Sequence, residues 1–197
     1  MNEPFSSASP SPSSSLRGRL LVATPALLDP NFVRTVVLML EHGEDGAVGV
    51  VLNRPSPLTA AEALTAWESA CADPAVVFVG GPVQPGGVIG LAEVSTHPSV
   101  PTEGVTTLWP GLGTVDLDGD PALLAPPVGR VRCFAGYSGW GPLQLEGELA
   151  TGSWFVVDAE PGDLWTSQPE RLWSEVLRRQ PGRIAQFAHC PPDPAVN

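Results

Sequence analysis

The stretch V-V-L-M-L-E-H-G-E-D-G-A-V-G-V-V-L, residues 36–52, decides the fold. Val36-Val37-Leu38-Met39-Leu40 and Val48-Gly49-Val50-Val51-Leu52 are short aliphatic runs rich in β-branched residues, joined by the turn sequence Gly43-Glu44-Asp45-Gly46. Neither run alternates strictly between apolar and polar residues. Both are therefore predicted to be strands covered on two faces, forming a β-hairpin.

Working outward, Leu20-Leu21-Val22-Ala23 reads as a preceding strand, linked to the hairpin through the turn chemistry of Thr24-Pro25 and Asp29-Pro30-Asn31. After Asn53-Arg54-Pro55, Thr59 and Glu62 stand at capping-box spacing, and Ala60, Leu64, Trp67 and Cys71 follow at helical intervals as far as Asp73-Pro74. Strands are predicted over 76–79 and 88–94, separated by Gly80-Gly81-Pro82 and Pro85-Gly86-Gly87. Residues 95–127 are punctuated by proline and glycine, with short extended pieces near 105–109 and 114–117. A strand over 128–135 leads to an aromatic-glycine loop, Gly136-Tyr137-Ser138-Gly139-Trp140-Gly141, and Pro142 suits the first turn of a short helix reaching Leu149, which Gly147 weakens. Trp154-Phe155-Val156-Val157 is a last strand. A second capping box, Ser167 with Glu170, precedes a helix carrying Leu172, Trp173, Val176 and Leu177, with Arg178 and Arg179 at its C-terminus and Pro181-Gly182 as its stop.

Many strands, few helices and no βαβ alternation predict an α+β fold: one compact domain over 16–190, with a mixed, strongly bent β-sheet and a few flanking helices. Residues 1–15 are a Ser/Pro-rich tail too poor in apolar residues to order, and 191–197 are proline-rich and expected to fray. A chain of 197 residues with 43% hydrophobic and 16% charged residues can bury a substantial single core.

The net charge of −11 and ten dispersed arginines disfavour a phosphate backbone or an anionic membrane as partner, so direct nucleic-acid binding is not expected. None of the ten basic residues is lysine, which excludes Schiff-base chemistry, pyridoxal attachment and a phosphate-loop lysine. Cys71, Cys133 and Cys190 are odd in number and far apart, suggesting neither a disulfide framework nor a zinc site, and a reducing cytoplasm fits. The N-terminus has no basic or apolar region of a signal peptide, and nothing is long enough to span a membrane.

Candidate chemistry is sparse. Ser138 after a strand resembles a nucleophile elbow, but Trp140 stands where that turn needs glycine; His42 or His97 would have to serve as base. The plainer reading of Ser138 is a small residue in a turn. Asn53 and Arg54 could hold a carboxylate or phosphate, or simply end a strand and make one surface ion pair. Gly80-Gly81-Pro82-Val83 lacks the residues of a phosphate loop. Glu146 and Glu148 are expected on an acidic, solvated helix surface rather than as a catalytic pair. No cofactor and no metal are implied.

Taken together, Gly18-Arg19-Leu20-Leu21-Val22-Ala23-Thr24-Pro25, Asp29-Pro30-Asn31-Phe32, Glu41-His42, Leu52-Asn53-Arg54-Pro55, Gly80-Gly81-Pro82-Val83 and Gly136 to Gly141 resemble the YqgE/AlgH family in order and spacing. Trp154 and Leu172-Trp173 extend the resemblance over residues 18 to 180. It implies a bacterial cytoplasmic protein of bent sheets, often labelled a transcriptional regulator, with no established enzymatic activity and no agreed site. Leu143 departs from it, standing where that family usually has glycine. The expectation is a non-enzymatic binding or regulatory protein that meets an unknown protein or small molecule through Asn53, Arg54, Gly136, Tyr137, Ser138, Gly139, Trp140 and Gly141, the alternative being a hydrolase using Ser138.

Overall fold

The computed structural model describes residues 15–95, 103–124 and 127–190, so residues 1–14 of the tail expected at 1–15, the tail expected at 191–197, and His97 lie outside the described residues. Among the described residues ten strands form: β1 (Arg19–Ala23), β2 (Val36–Gly43), β3 (Gly46–Val51), β4 (Pro55–Thr59), β5 (Val76–Val79), β6 (Val83–Glu93), β7 (Val105–Trp109), β8 (Leu112–Val115), β9 (Val131–Trp140) and β10 (Trp154–Asp158). Helices are α1 (Ala60–Ala63), α2 (Gln144–Ala150) and α3 (Pro169–Arg178), with a 3₁₀ turn over Thr65–Ala70 after α1 and another over Ile184–His189.

The hairpin forms as its composition dictates. β2 pairs antiparallel with β3, and Val36 to Leu40 are all buried because one set of side chains (Val36, Leu38, Leu40) enters one core while Val37 and Met39 enter another. Fully burying each such side chain is worth about 1.5–3 kcal/mol. α3 lays Leu172, Trp173, Val176 and Leu177 on the first core, and its Trp173 Nε1 donates to the Ala23 carbonyl at 2.8 Å. α2 places Leu145 on the second. A third cluster, of Trp67, Ala92, Val115, Val131 and Cys133, lies behind β6, β8 and β9.

The strand order is β10-β1-β2-β3-β9-β6-β8-β7, with β4 and β5 attached beside β9. Every strand pairing in this sheet is antiparallel except β5 with β9. β9 carries two neighbours in succession on one edge: β5 pairs with Cys133 to Ala135, and β3 with Ser138 to Trp140. The exchange occurs at Gly80. Its N–H donates to the Ala135 carbonyl at 2.8 Å, and its carbonyl accepts from Val51 N at 2.9 Å and from Ser138 Oγ at 3.2 Å. Opposite it, Gly136 sits at φ +67°, and a methyl group there would lie 2.6 Å from the Gly81 carbonyl oxygen and 2.8 Å from that of Val83. The β6–β9 register shifts at this point, Val83 facing Tyr137 and Val88 facing Ala135, so β6 carries the extra residues of a bulge opposite Gly136.

The segment 136–140 is thus strand, not loop, which corrects the sequence reading: its glycine is needed for close backbone approach inside the ladder, and the chain turns only afterwards, at Pro142 and Leu143. Three further corrections are local. Pro55–Thr59 is a strand; the capping box at Thr59–Glu62 forms but opens only a four-residue α-helix; and α3 starts at Pro169 behind Gln168 with no side-chain cap, because a proline at the first position needs no N–H partner.

Gly136→Ala is expected to destabilise the protein by more than the ~1–2 kcal/mol that left-handed backbone alone costs, since two carbonyl oxygens block the methyl. Gly139, whose added Cβ would meet nothing closer than 3.4 Å, is the control, with Gly139→Ala expected within about 0.5 kcal/mol of the parent. Urea unfolding of both variants checks this, and equal midpoints would contradict it.

Candidate functional site

The structure puts the eight sequence-selected residues into one framework but not onto one exposed face. Gly136, Ser138 and Trp140 are buried, Asn53, Arg54 and Tyr137 half-buried, and Gly139 and Gly141 exposed. Asn53 follows β3 at the end away from Trp140, which pairs with Ala47. Its amide stands in for backbone, accepting from Val36 N and donating to the Arg34 carbonyl, both at 2.9 Å. Arg54 donates to the carbonyls of Pro30 (2.9 Å) and Val33 (3.3 Å), and burial lowers its pKa against the opposing charge of Asp29. The loop it grips presents Phe32, whose ring centroid lies 6.1 Å from that of Trp140 and 5.5 Å from that of Trp154.

Trp140 and Trp154 belong to β9 and β10, which have three strands between them in the order, yet their centroids are 6.0 Å apart. That distance requires the sheet to curl between β10 and β9 until these two strands face each other. Glu148 of α2 locks the closure, its Oε2 accepting from Trp140 Nε1 at 2.9 Å and Trp154 Nε1 at 2.8 Å while Oε1 accepts from Gln144. Glu146 pairs with His42 Nε2 at 3.0 Å, and His42 Nδ1 accepts from Leu16 N. The acidic helix face expected to be solvated is instead fastened to three strands, β2, β9 and β10. Ser138, fully buried with its hydroxyl given to Gly80, presents no accessible nucleophile.

A cleft of about 390 Å³ lies where the two parts of the sheet face each other. Leu20, Leu38, Leu52, Leu112 and Leu164 supply apolar lining, and Trp109 and Trp165 aromatic area. The polar groups beside it are paired. Arg130 bonds Glu93 through Nε at 3.2 Å and lies 5.1 Å from the Trp165 ring centroid. This hydrogen bond holds the Glu93 carboxyl below its ordinary value, against the effect of burial. Arg179 forks onto Asp163 at 2.7 and 2.6 Å and reaches Glu160 at 3.4 Å; the Asp163 bond raises its pKa. Among the described lining residues there is no hydroxyl, thiol or imidazole.

Sequence reasoning missed this cleft. Glu93 and Arg130 become neighbours only through the pairing of β6 with β9, where Ala92 faces Val131. The sequence carried no local sign of it. It likewise gave no hint that Cys71 and Cys133, far apart along the chain, meet in the third cluster.

A family model described as AlgH-like matches residues 20–185. A UPF0301 protein of Streptomyces coelicolor is 53% identical over 186 residues, covering 93% of this chain and 96% of that one. One from Thermobifida fusca is 45% identical over 197 residues, with 93% and 96% covered. Among solved structures, a crystal structure of a Corynebacterium diphtheriae protein superposes with a TM-score of 0.81 at 31% identity, covering 93% of this chain and 96% of that one. The solution structure of AlgH from Pseudomonas aeruginosa gives 0.66 at 30% identity, covering 93% and 98%.

Two outcomes follow from the geometry of α2. Trp140→Ala should cost roughly 3–5 kcal/mol through lost burial and a cavity, and Glu148→Ala about 2 kcal/mol by orphaning two indole N–H groups; denaturant unfolding that found under ~0.5 kcal/mol for both would contradict the closure. Leu143 precedes α2 at φ +62° and is 78% exposed, so it carries left-handed strain without burial in return. Leu143→Gly should therefore raise stability by about 0.5–1 kcal/mol, the strain relieved exceeding the entropy glycine adds to the unfolded chain.

Proposed function

The chain belongs to the AlgH-like family, and on that premise we propose that it is a non-enzymatic binding protein of the bacterial cytoplasm whose ligand enters the cleft beside Trp109 and Trp165. One observation carries the reading: the cleft offers mainly apolar lining at the size of a small molecule, while its carboxylates are held by arginines. Such a surface binds; it does not transfer protons or groups, for want of a free base or nucleophile. The ligand it suits is small and largely apolar, with a polar end facing Glu93 and Arg130. A regulatory role would then run through that ligand or a protein partner rather than through DNA, in keeping with the net charge of −11. Among the described residues no helix is long and apolar enough to cross a membrane.

The test is native mass spectrometry of untagged protein purified from its own host, beside a Leu112→Trp variant that fills the cleft. A bound small molecule present in the parent and lost in the variant is the expected result. Equal occupancy in both would place the ligand elsewhere, and turnover of an ester or amide panel abolished by Ser138→Ala would favour the hydrolase instead.

A further inference from the structure

The third cluster, which packs behind the sheet and shares no residue with the cleft's lining, contains two cysteines that the binding role does not use. Cys71 closes the 3₁₀ turn Thr65–Ala70, and its backbone bridges Val131 in parallel, with Ala72 N donating to the Val131 carbonyl at 2.8 Å. Cys133 stands two residues further along the same strand, on the same face as Val131, so both cysteines pack into the cluster built on Trp67 and Ala92. Neither is held in a disulfide. Their accessibility differs: Cys133 is 1% exposed, whereas Cys71 is half-buried.

We propose that Cys71 and Cys133 form a peroxide-sensitive thiol pair, Cys71 being the thiol attacked and Cys133 the one that resolves it into an intramolecular disulfide. The electrostatics agree. The Cys133 S–H donates to Cys71 and holds its thiol below the usual range; burial opposes this, the Arg132 guanidinium adds to it, and Glu68 opposes it. Cys133 is pushed the other way, upward, by the same hydrogen bond and by burial. Arg132 is 2% exposed, gives its two Nη groups to the carbonyls of Thr166 and Asp73, leaves Nε unpartnered, and has no carboxylate within 4.0 Å among the described residues. A buried guanidinium of this kind favours an anion nearby, and thiolate is the nucleophilic form of cysteine.

The chemistry balances with a hydroperoxide as the oxidant. The Cys71 thiolate attacks the terminal peroxide oxygen, the O–O bond breaks, and the alkoxide or hydroxide leaves with a proton as alcohol or water, giving the sulfenic acid. The Cys133 sulfur then attacks the Cys71 sulfur. The S–O bond breaks, the hydroxyl leaves with the Cys133 proton as water, and a disulfide remains: two thiols oxidised, one peroxide reduced.

The test treats the reduced full chain with hydrogen peroxide at neutral pH, blocks remaining thiols by alkylation, and maps peptides after cleavage at arginine. The expected product joins the Cys71 and Cys133 peptides, two hydrogens lighter than their sum, with Cys190 alkylated and the joining reversed by dithiothreitol. Full alkylation of both thiols after peroxide, a bond through Cys190, or a bond between chains would each overturn the proposal. In Cys133→Ser, checked for folding by its thermal transition, the disulfide should vanish and dimedone should label Cys71. Should that variant not fold, Cys71→Ser, changed at the more accessible position, must protect Cys133 from peroxide; continued oxidation of Cys133 there would also overturn it.

Discussion

One edge of one strand cannot serve two neighbours at the same residues, and the fold is arranged around how β9 resolves that conflict. β5 runs parallel to its first half and must leave before β3 can take the second. The departure costs backbone hydrogen bonds unless they are re-made at once, since buried N–H and C=O groups are expensive to leave unpaired. Gly80 re-makes them, donating to Ala135 and accepting from Val51 and Ser138. The close crossing leaves no room for a Cβ at Gly136.

Everything that resembled a functional motif is drawn into maintaining the curl of the sheet. The curl brings Trp140 against Trp154, and the pair is capped by Phe32, whose loop Arg54 grips by two carbonyls and Asn53 fixes to the start of β2. Glu148 satisfies both indole N–H groups with one carboxylate oxygen. An aromatic closure of this kind needs those donors paired, because a buried polar tip without a partner would offset part of the burial gained. The cleft draws its lining from both parts of the sheet, Leu20 and Leu38 from β1 and β2, Glu93 and Leu112 from β6 and β8.

The arginines share a pattern. Arg34 lies 3.9 Å from the Trp173 ring centroid and Arg132 lies 4.4 Å from that of Phe78, while Arg54 reaches carbonyls and Arg130 and Arg179 fork onto carboxylates. A planar guanidinium can bond in its plane and stack across it, which an ammonium cannot do, and this suits a chain without lysine. Arg132 pays for its place with a pKa pushed down by burial to about 10, and it stays charged at neutral pH.

What the sequence determined by itself was set by local rules. The unbroken aliphatic runs of β2 and β3, the turn at Gly43–Gly46, the capping box at Thr59 and the amphipathic face of α3 follow from residue periodicity and side-chain reach within a few positions, and each was legible. So was the α+β class. The sequence misjudged 136–140 as a loop, because a glycine-rich aromatic run has the same composition whether it turns in solvent or crosses another backbone. It did not show that Asn53, Arg54 and Ser138 would be spent on internal hydrogen bonds, nor that Trp109, Trp165, Glu93 and Arg130 would line one cleft, nor that Cys71 would meet Cys133. Those juxtapositions join residues tens of positions apart, and only the pairing order around β9 decides them: register across strands is settled by the packing of the whole sheet, which no local stretch encodes.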